Sequence, residues 1–158
     1  MADSNVEGRP THFSGLAIKP RTLTSATLTL TEKDAGKTII TDIAATQTIT
    51  LPAATGTGNV FRFLIGVTAT GDKVIQVANS TDEFLGSVLS IDTDTGDAAV
   101  GFAALDADGF DTITLNGTTT GGIMGTEVVI TDILAGKFAV KTLSIGSGIV
   151  ATPFSAAV

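Results

Sequence analysis

The chain contains no cysteine, no tryptophan and no tyrosine, and His12 is its only histidine. Without cysteine it can form neither a disulfide nor a thiolate metal site, so its folding does not depend on an oxidising compartment. Without tryptophan and tyrosine it lacks the best stacking platforms for single-stranded nucleic acid, and the side chains usually displayed to sugars. These absences argue against transition-metal chemistry and against most carbohydrate sites.

Charge is scarce as well. Charged residues make up 16% of the 158 residues, against about 25% in typical soluble domains, while hydrophobic residues make up 43%. A monomer of this composition would expose much apolar and threonine surface, which oligomerisation or permanent docking on a partner would cover. Apolar runs stay shorter than the roughly 18–20 residues that span a bilayer, and MADSNVEGRPTH does not have the pattern of a signal peptide. We expect no membrane partner.

The charge that is present is unevenly distributed. Residues 1–22 carry a net charge of +1, whereas residues 23–158 hold six Lys or Arg against fourteen Asp or Glu, a net of −8. An acidic body repels phosphate backbones, so direct binding to nucleic acid is not expected.

Threonine alternates with leucine or isoleucine through residues 27–51, TLTLTEKDAGKTIITDIAATQTITL. Because side chains along a strand point to opposite faces, this pattern predicts strands that bury their aliphatic side chains and expose threonine. The alternation breaks at KDAG, residues 33–36, so three short strands fit in this stretch. Similar patterns predict strands at 111–115, 125–130 and 137–145, with Ala135 and Gly136 forming the turn of the last hairpin.

Residues 59–67, NVFRFLIGV, form a nearly continuous apolar run of strand length. Phe61, Phe63 and Ile65 share one face of this run and are predicted to fill the core, while Arg62 points to the opposite face. Residues 73–78, KVIQVA, are predicted to form the next strand, weaker patterns predict strands at 83–91 and 98–105, and no segment has a convincing helical period. The chain is therefore predicted to be all-β, with a body that forms a β-sandwich or jelly-roll-like fold.

The N-terminal segment differs from the body. Residues 1–22 contain Gly8, Pro10, Gly15 and Pro20 and show no sustained period. Proline removes a backbone donor and glycine adds backbone freedom, so a regular element is not expected there. We interpret residues 1–22 as an extended arm that orders on a neighbouring molecule, and residues 23–158 as the sandwich body.

Candidate catalytic groups are few. His12 lies in the arm, where no folded scaffold would hold it as a general base, so we expect no enzymatic activity and no cofactor. Two acidic loops remain, one with Asp92, Asp94 and Asp97 and the other with Asp106, Asp108 and Asp111. Their carboxylates have a spacing that could bind calcium, but neither loop has the full pattern of a calcium-binding loop. The favoured interpretation is that these side chains cap turns by bonding their own backbone.

Several short motifs occur in a fixed order in the body. They are TLT at 27–29, DAGKT at 34–38, TITLPA at 48–53, and Gly58, Phe61, Phe63 and Ile65 of GNVFRFLI, followed by GTEVVITDILAGKFAVKTLSI and the tail IVATPFSAA. In this order the body resembles a family of small structural proteins of tailed phages. The chain departs from the family at 137–139, where Phe138 stands alone and family members typically carry an aromatic pair.

The resemblance implies a role in the virion, above all as a trimeric decoration or cement protein on the outer surface of the head. Such a protein would be made in the host cytoplasm, and its partner would be the major capsid protein. The arm residues expected to contact the shell are Arg9, His12, Phe13, Leu16, Ile18, Lys19 and Arg21. The alternative is an adhesion or carbohydrate-binding module on a tail fibre or a cell surface.

Overall fold

The computed structural model describes residues 19–94 and 98–158, which form two β-sheets packed on one hydrophobic core. The seven-stranded sheet consists, in order, of β1 (Arg21–Leu23), β3 (Thr38–Thr41), β5 (Val60–Ile65), β10 (Glu127–Leu134), β11 (Lys137–Gly146), β7 (Glu83–Asp92) and β8 (Ala99–Ala104). The five-stranded sheet consists of β12 (Phe154–Ser155), β9 (Thr112–Leu115), β6 (Lys73–Gln76), β4 (Gln47–Thr50) and β2 (Thr27–Thr29). The predicted all-β sandwich is confirmed.

Helical structure in the described ranges is limited to one 3-10 turn, Glu32–Asp34, at the predicted break between strands. None of the described helical structure is long and apolar enough to cross a membrane. The three strands predicted within residues 27–51 are β2, β3 and β4.

The first six strands alternate between the two sheets. Strands β1, β3 and β5 are parallel neighbours in one sheet, and β2, β4 and β6 are parallel neighbours in the other. A parallel pair cannot be closed by a tight hairpin, so each connection passes through the opposite sheet before it returns. This winding was not predicted, and it distinguishes the strand order from the antiparallel order of a jelly roll.

The second half of the chain adds the hairpin of β10 and β11, which turns at Ala135 and Gly136 as predicted. Gly136 has a φ of 77°, a conformation that residues with a side chain rarely adopt. Strand β10 pairs with β5 and β11 pairs with β7, so the hairpin joins the parallel winding to the last two strands of the large sheet.

The core lies between the sheets. Phe61, Phe63 and Ile65 are buried as predicted, whereas Arg62 lies on the opposite face with its side chain 55% exposed. Ile49 and Ile75 are buried in the smaller sheet and belong to the same core. The period-two pattern therefore gave the correct face for β5.

The prediction that threonine faces outward and aliphatic side chains face inward is wrong at Thr41 of β3 and Thr112 of β9, which are buried, and in the second half of β11. Strand β7 shows the same arrangement with serine in place of threonine. In β11, Thr142 and Ser144 are buried while Leu143 is 55% exposed, and in β7, Ser90 is buried while Leu89 is 46% exposed. Phe138 in β11 and Phe84 in β7 point into the core near the start of each strand. Because alternate side chains point to the same face, the hydroxyl side chains toward the end of each strand also point into the core. The aliphatic side chains of this region consequently face outward.

Candidate interaction surface

Only two of the predicted arm contacts lie among the described residues. Lys19 is exposed, and Arg21 is the first residue of β1, so the sheet begins two residues before the predicted boundary of the body. The other five, Arg9, His12, Phe13, Leu16 and Ile18, lie outside the described residues. The role of these seven residues in contacting a shell stays a prediction.

The first acidic loop follows β7 and uses its carboxylates as caps. Asp92 accepts a hydrogen bond from the backbone N–H of Asp94 at 3.0 Å, and Asp94 accepts one from the N–H of Gly148. Asp97 lies outside the described residues. The two described carboxylates therefore stabilise the loop and its contact with residues near the C-terminus.

The second acidic loop is also held by bonds within the protein. Asp108 accepts from the N–H of Leu105 at 2.8 Å, and Asp106 pairs with Lys137 at 2.5 Å. Asp111 is buried and accepts from the N–H of Ala157 at 2.7 Å, which holds the C-terminal segment against β9. Within residues 19–94 and 98–158, no three acidic or histidine side chains come close enough to bind a metal ion together.

Asp34, in the DAGKT motif, joins β1 to the turn before β3. Its carboxylate accepts from Arg21 at 2.5 Å and from the N–H of Thr31 at 3.1 Å, and Lys37 lies 3.5 Å away. Burial alone would raise the pKa of Asp34, but the hydrogen bonds from Thr31 and Arg21 and the charge of Arg21 outweigh it and lower the pKa. Arg21, predicted as a shell contact, thus has a partner inside its own fold.

Asp132 holds the loop between β4 and β5, which contains the end of the TITLPA motif. Its carboxylate accepts from the backbone N–H groups of Thr55, Gly56 and Thr57, and from the Thr57 hydroxyl at 2.7 Å. Burial would raise the pKa of Asp132, but these bonds outweigh it and lower the pKa. The role of Asp132 was not predicted, although Asp132 shares the buried face of β10 with Val128 and Ile130, where a lone carboxylate requires partners.

Lys73 is a further buried ionisable group that was not predicted. It opens β6, is 1% exposed, and donates a hydrogen bond from Nζ to the carbonyl oxygen of Ala45. Burial lowers the pKa of its ammonium group. Its place beside Gln47 of β4 makes it a structural group at one end of the smaller sheet.

We call the side of the seven-stranded sheet that faces away from the core the outer face. The strand registers align one row of outward side chains across six strands: Ile40, Leu64, Glu127, Leu143, Leu89 and Gly101. A second row runs beside it: Thr38, Arg62, Val129, Lys141, Ser87 and Ala103. The outer face therefore combines an apolar row containing one carboxylate with a mixed row containing two cations.

An open depression of about 380 Å³ lies in the middle of the outer face. Leu89, Leu143 and Val129 form its apolar walls, and Glu127 and Lys141 supply its charges. Glu127 is paired with Arg62 at 3.2 Å, so its charge is partly compensated. The depression can bind an apolar side chain at its centre while Glu127 and Lys141 form a polar rim, an arrangement that is common in protein interfaces.

Comparison with models of known protein families gives no match for this chain, and comparison with curated proteins gives none either.

Proposed function

We propose that the chain is a virion structural protein without catalytic activity. In this proposal it is a decoration or cement protein that binds the outer surface of a phage head as a homotrimer and stabilises the junctions between shell subunits. The observation that carries the proposal is the outer face, where the exposed Leu89 and Leu143 stand opposite each other on paired strands and Ile91 is exposed on the same side of β7. Contiguous exposed apolar surface of this kind marks an interaction site, whereas single exposed aliphatic residues do not.

The distribution of hydroxyl and aliphatic side chains in β7 and β11 supports the proposal. In their second halves, hydroxyl groups occupy the interior and Leu89, Ile91 and Leu143 face outward. Ser90 and Ser144 stand opposite each other in the register, and their buried hydroxyl groups have no hydrogen-bond partner within the described part of the chain. An arrangement that costs stability in the isolated molecule is understandable if the outward aliphatic side chains become buried in an assembly.

The use of the carboxylates agrees with a structural role. Asp34, Asp82, Asp111 and Asp132 are buried, and each accepts hydrogen bonds that hold a loop or a chain end. A cement protein needs a rigid scaffold that loses little entropy on binding, and many copies on one shell multiply a modest affinity. The resemblance of the body to small tailed-phage proteins points to the major capsid protein as the partner.

The outer face can be tested with heads from which this protein has been stripped. Leu89→Lys and Leu143→Lys should each reduce co-sedimentation with the heads by at least about tenfold, because an unpaired ammonium group in an apolar contact is costly to bury. Met124→Lys is the matched control, since Met124 is 61% exposed in the loop between β9 and β10. All three variants should keep the circular-dichroism spectrum of the wild type.

Two results would contradict the proposal. If both leucine variants bind heads as well as the Met124 control, the outer face is not the contact surface. If the wild-type protein does not bind heads but binds purified tail fibres or a glycan surface, the adhesion alternative replaces the decoration function.

A further inference from the structure

Strand β8 is an unprotected edge of the seven-stranded sheet. It has six residues, AVGFAA, and among residues 19–94 and 98–158 it pairs only with β7. The other sheet edges, β1, β2 and β12, have three residues or fewer. Proteins usually protect long edges with charged residues, proline or a bulge, but β8 contains neither a charged residue nor proline, and its register with β7 is unbroken.

The strand register shows which backbone groups of β8 are free. The N–H of Asp92 donates to the carbonyl oxygen of Ala98 at 2.9 Å, and the antiparallel register continues from this pair along the strand. Because hydrogen-bonded and non-hydrogen-bonded pairs alternate, Ala99, Gly101 and Ala103 direct their N–H and C=O groups away from β7. All three residues are exposed, and a Cβ built on Gly101 would have no atom within 4 Å.

Acidic residues lie at both ends of β8. Asp92 and Asp94 lie at its start, and Asp106 and Asp108 follow its last residue. A segment that adds to this edge therefore fits best if it is uncharged for the length of the strand and basic at each end. A second β8 would bring acidic groups against acidic groups, so it does not meet this condition.

The chain itself contains such a segment. Residues 11–18, THFSGLAI, contain no Asp, Glu, Lys or Arg, and they lie between Arg9 and Lys19. Either direction of pairing brings one basic residue to each acidic end of β8. The segment matches the edge in length and in charge.

The molecule's own segment cannot reach β8. Strands β1 and β8 are the two opposite edges of the seven-stranded sheet, and six inter-strand spacings of about 4.8 Å place them roughly 29 Å apart. Lys19, which directly follows residue 18, is two residues from the start of β1. A second copy of the chain must therefore supply the segment.

We propose that β8 of one copy binds residues 11–18 of a second copy as an added strand, with Arg9 and Lys19 beside the acidic ends. Backbone hydrogen bonds supply the affinity, as in other cases of strand addition, and the charges at the two ends favour a segment with basic flanks over one with acidic flanks. This inference rests on the proposed homo-oligomer. The arm was predicted to contact the shell, and here residues 11–18 of the arm bind another copy within the oligomer. Because β8 of each copy binds the arm of the next copy, the contact is head-to-tail and can close into a ring.

Gly101→Pro tests the edge in the full-length chain. The proline removes an N–H group that points away from β7, so the pairing of β8 with β7 and the melting temperature should be nearly unchanged. Strand addition loses a hydrogen bond, and the dissociation constant of the oligomer, measured by sedimentation velocity, should rise about tenfold or more. Gly101→Ala keeps the N–H group in the same open space and should associate like the wild type. A Gly101→Pro protein with unchanged association would overturn the inference.

Cross-linking identifies the occupant, because the natural chain has no cysteine. A Ser14→Cys copy and a Gly101→Cys copy are mixed and treated with a short bis-maleimide. The inference predicts a cross-linked pair that contains one copy of each, and Lys19→Glu in the Ser14→Cys copy should lower its yield. Pairs of Gly101→Cys alone, or no cross-link at all, would contradict it. Neither result bears on the decoration function, which the co-sedimentation of wild-type protein with heads tests separately.

Discussion

Replacing Phe63 by alanine is expected to remove about 3–5 kcal/mol from the free energy of unfolding. Phe63 is fully buried in β5, between Ile39 of β3 and Val128 of β10 in the register of the large sheet. The truncation leaves a cavity at the centre of a core that both sheets share. Since domains are stable by only about 5–15 kcal/mol, the melting temperature should fall sharply or the protein should become insoluble.

Arg62→Ala is the control for this prediction. Arg62 is the neighbouring residue on the same strand, but its side chain is mostly exposed and its ion pair with Glu127 lies on the surface. Losing such a pair costs about 0–1 kcal/mol. Thermal or denaturant unfolding of the two variants side by side would show whether β5 has the assigned faces, and equal stability of the two would refute the assignment.

Asp132→Asn is expected to destabilise the fold by about 1–3 kcal/mol for each buried donor that loses its acceptor. The carboxylate accepts bonds from three backbone N–H groups and one hydroxyl group in a buried position. An amide would turn an NH₂ group toward some of these donors and leave them unsatisfied, at about 1–3 kcal/mol for each buried group. The loop containing Thr55, Gly56 and Thr57 should lose protection from hydrogen exchange.

The same substitution should change how stability depends on pH. Asp132 and Asp34 both have a pKa below the ordinary value of 3.8 in the folded chain. The unfolded chain therefore binds protons first as the pH falls, so the contribution of these groups is complete above about pH 5 and is lost on acidification through the folded pKa values. Denaturant unfolding between about pH 5 and pH 2 should show a shallower loss of stability for Asp132→Asn than for the wild type.

Asp94→Asn provides the comparison, because Asp94 is exposed and makes one hydrogen bond to Gly148. Its stability at neutral pH should differ from the wild type by much less than that of Asp132→Asn. If the two asparagine variants unfold at the same denaturant concentration, Asp132 does not hold its loop in the way we describe.

The sequence predicted those features that depend on local pattern. Alternation located ten of the twelve strands, the faces of Phe61, Phe63 and Ile65, and the turn at Ala135 and Gly136, but it predicted neither β1 nor β12. The favoured interpretation of the acidic loops also agrees with the structure, since the carboxylates of Asp92 and Asp108 bond backbone N–H groups two or three residues away. These are short-range consequences of strand geometry and turn chemistry.

Features that depend on distant partners could not be predicted in the same way. The donors to Asp132 lie 75–77 residues earlier in the chain, and Arg21 lies 13 residues before Asp34. The parallel winding of β1 to β6 depends on which strands pair with each other. The alternation of side chains along one strand does not determine that strand's neighbours. The outer face was missed because β7 and β11 begin with a large inward residue, Phe84 or Phe138, and then carry their hydroxyl groups on that same inward face.

The most direct test of the decoration function is to measure the ratio of this chain to the major capsid protein in purified heads. We expect a fixed ratio that does not vary between preparations, and a chain that antibodies can reach on intact heads. It would be contradicted if heads lacked the chain while tails or fibres contained it, or if its amount in heads varied freely with its concentration in the lysate.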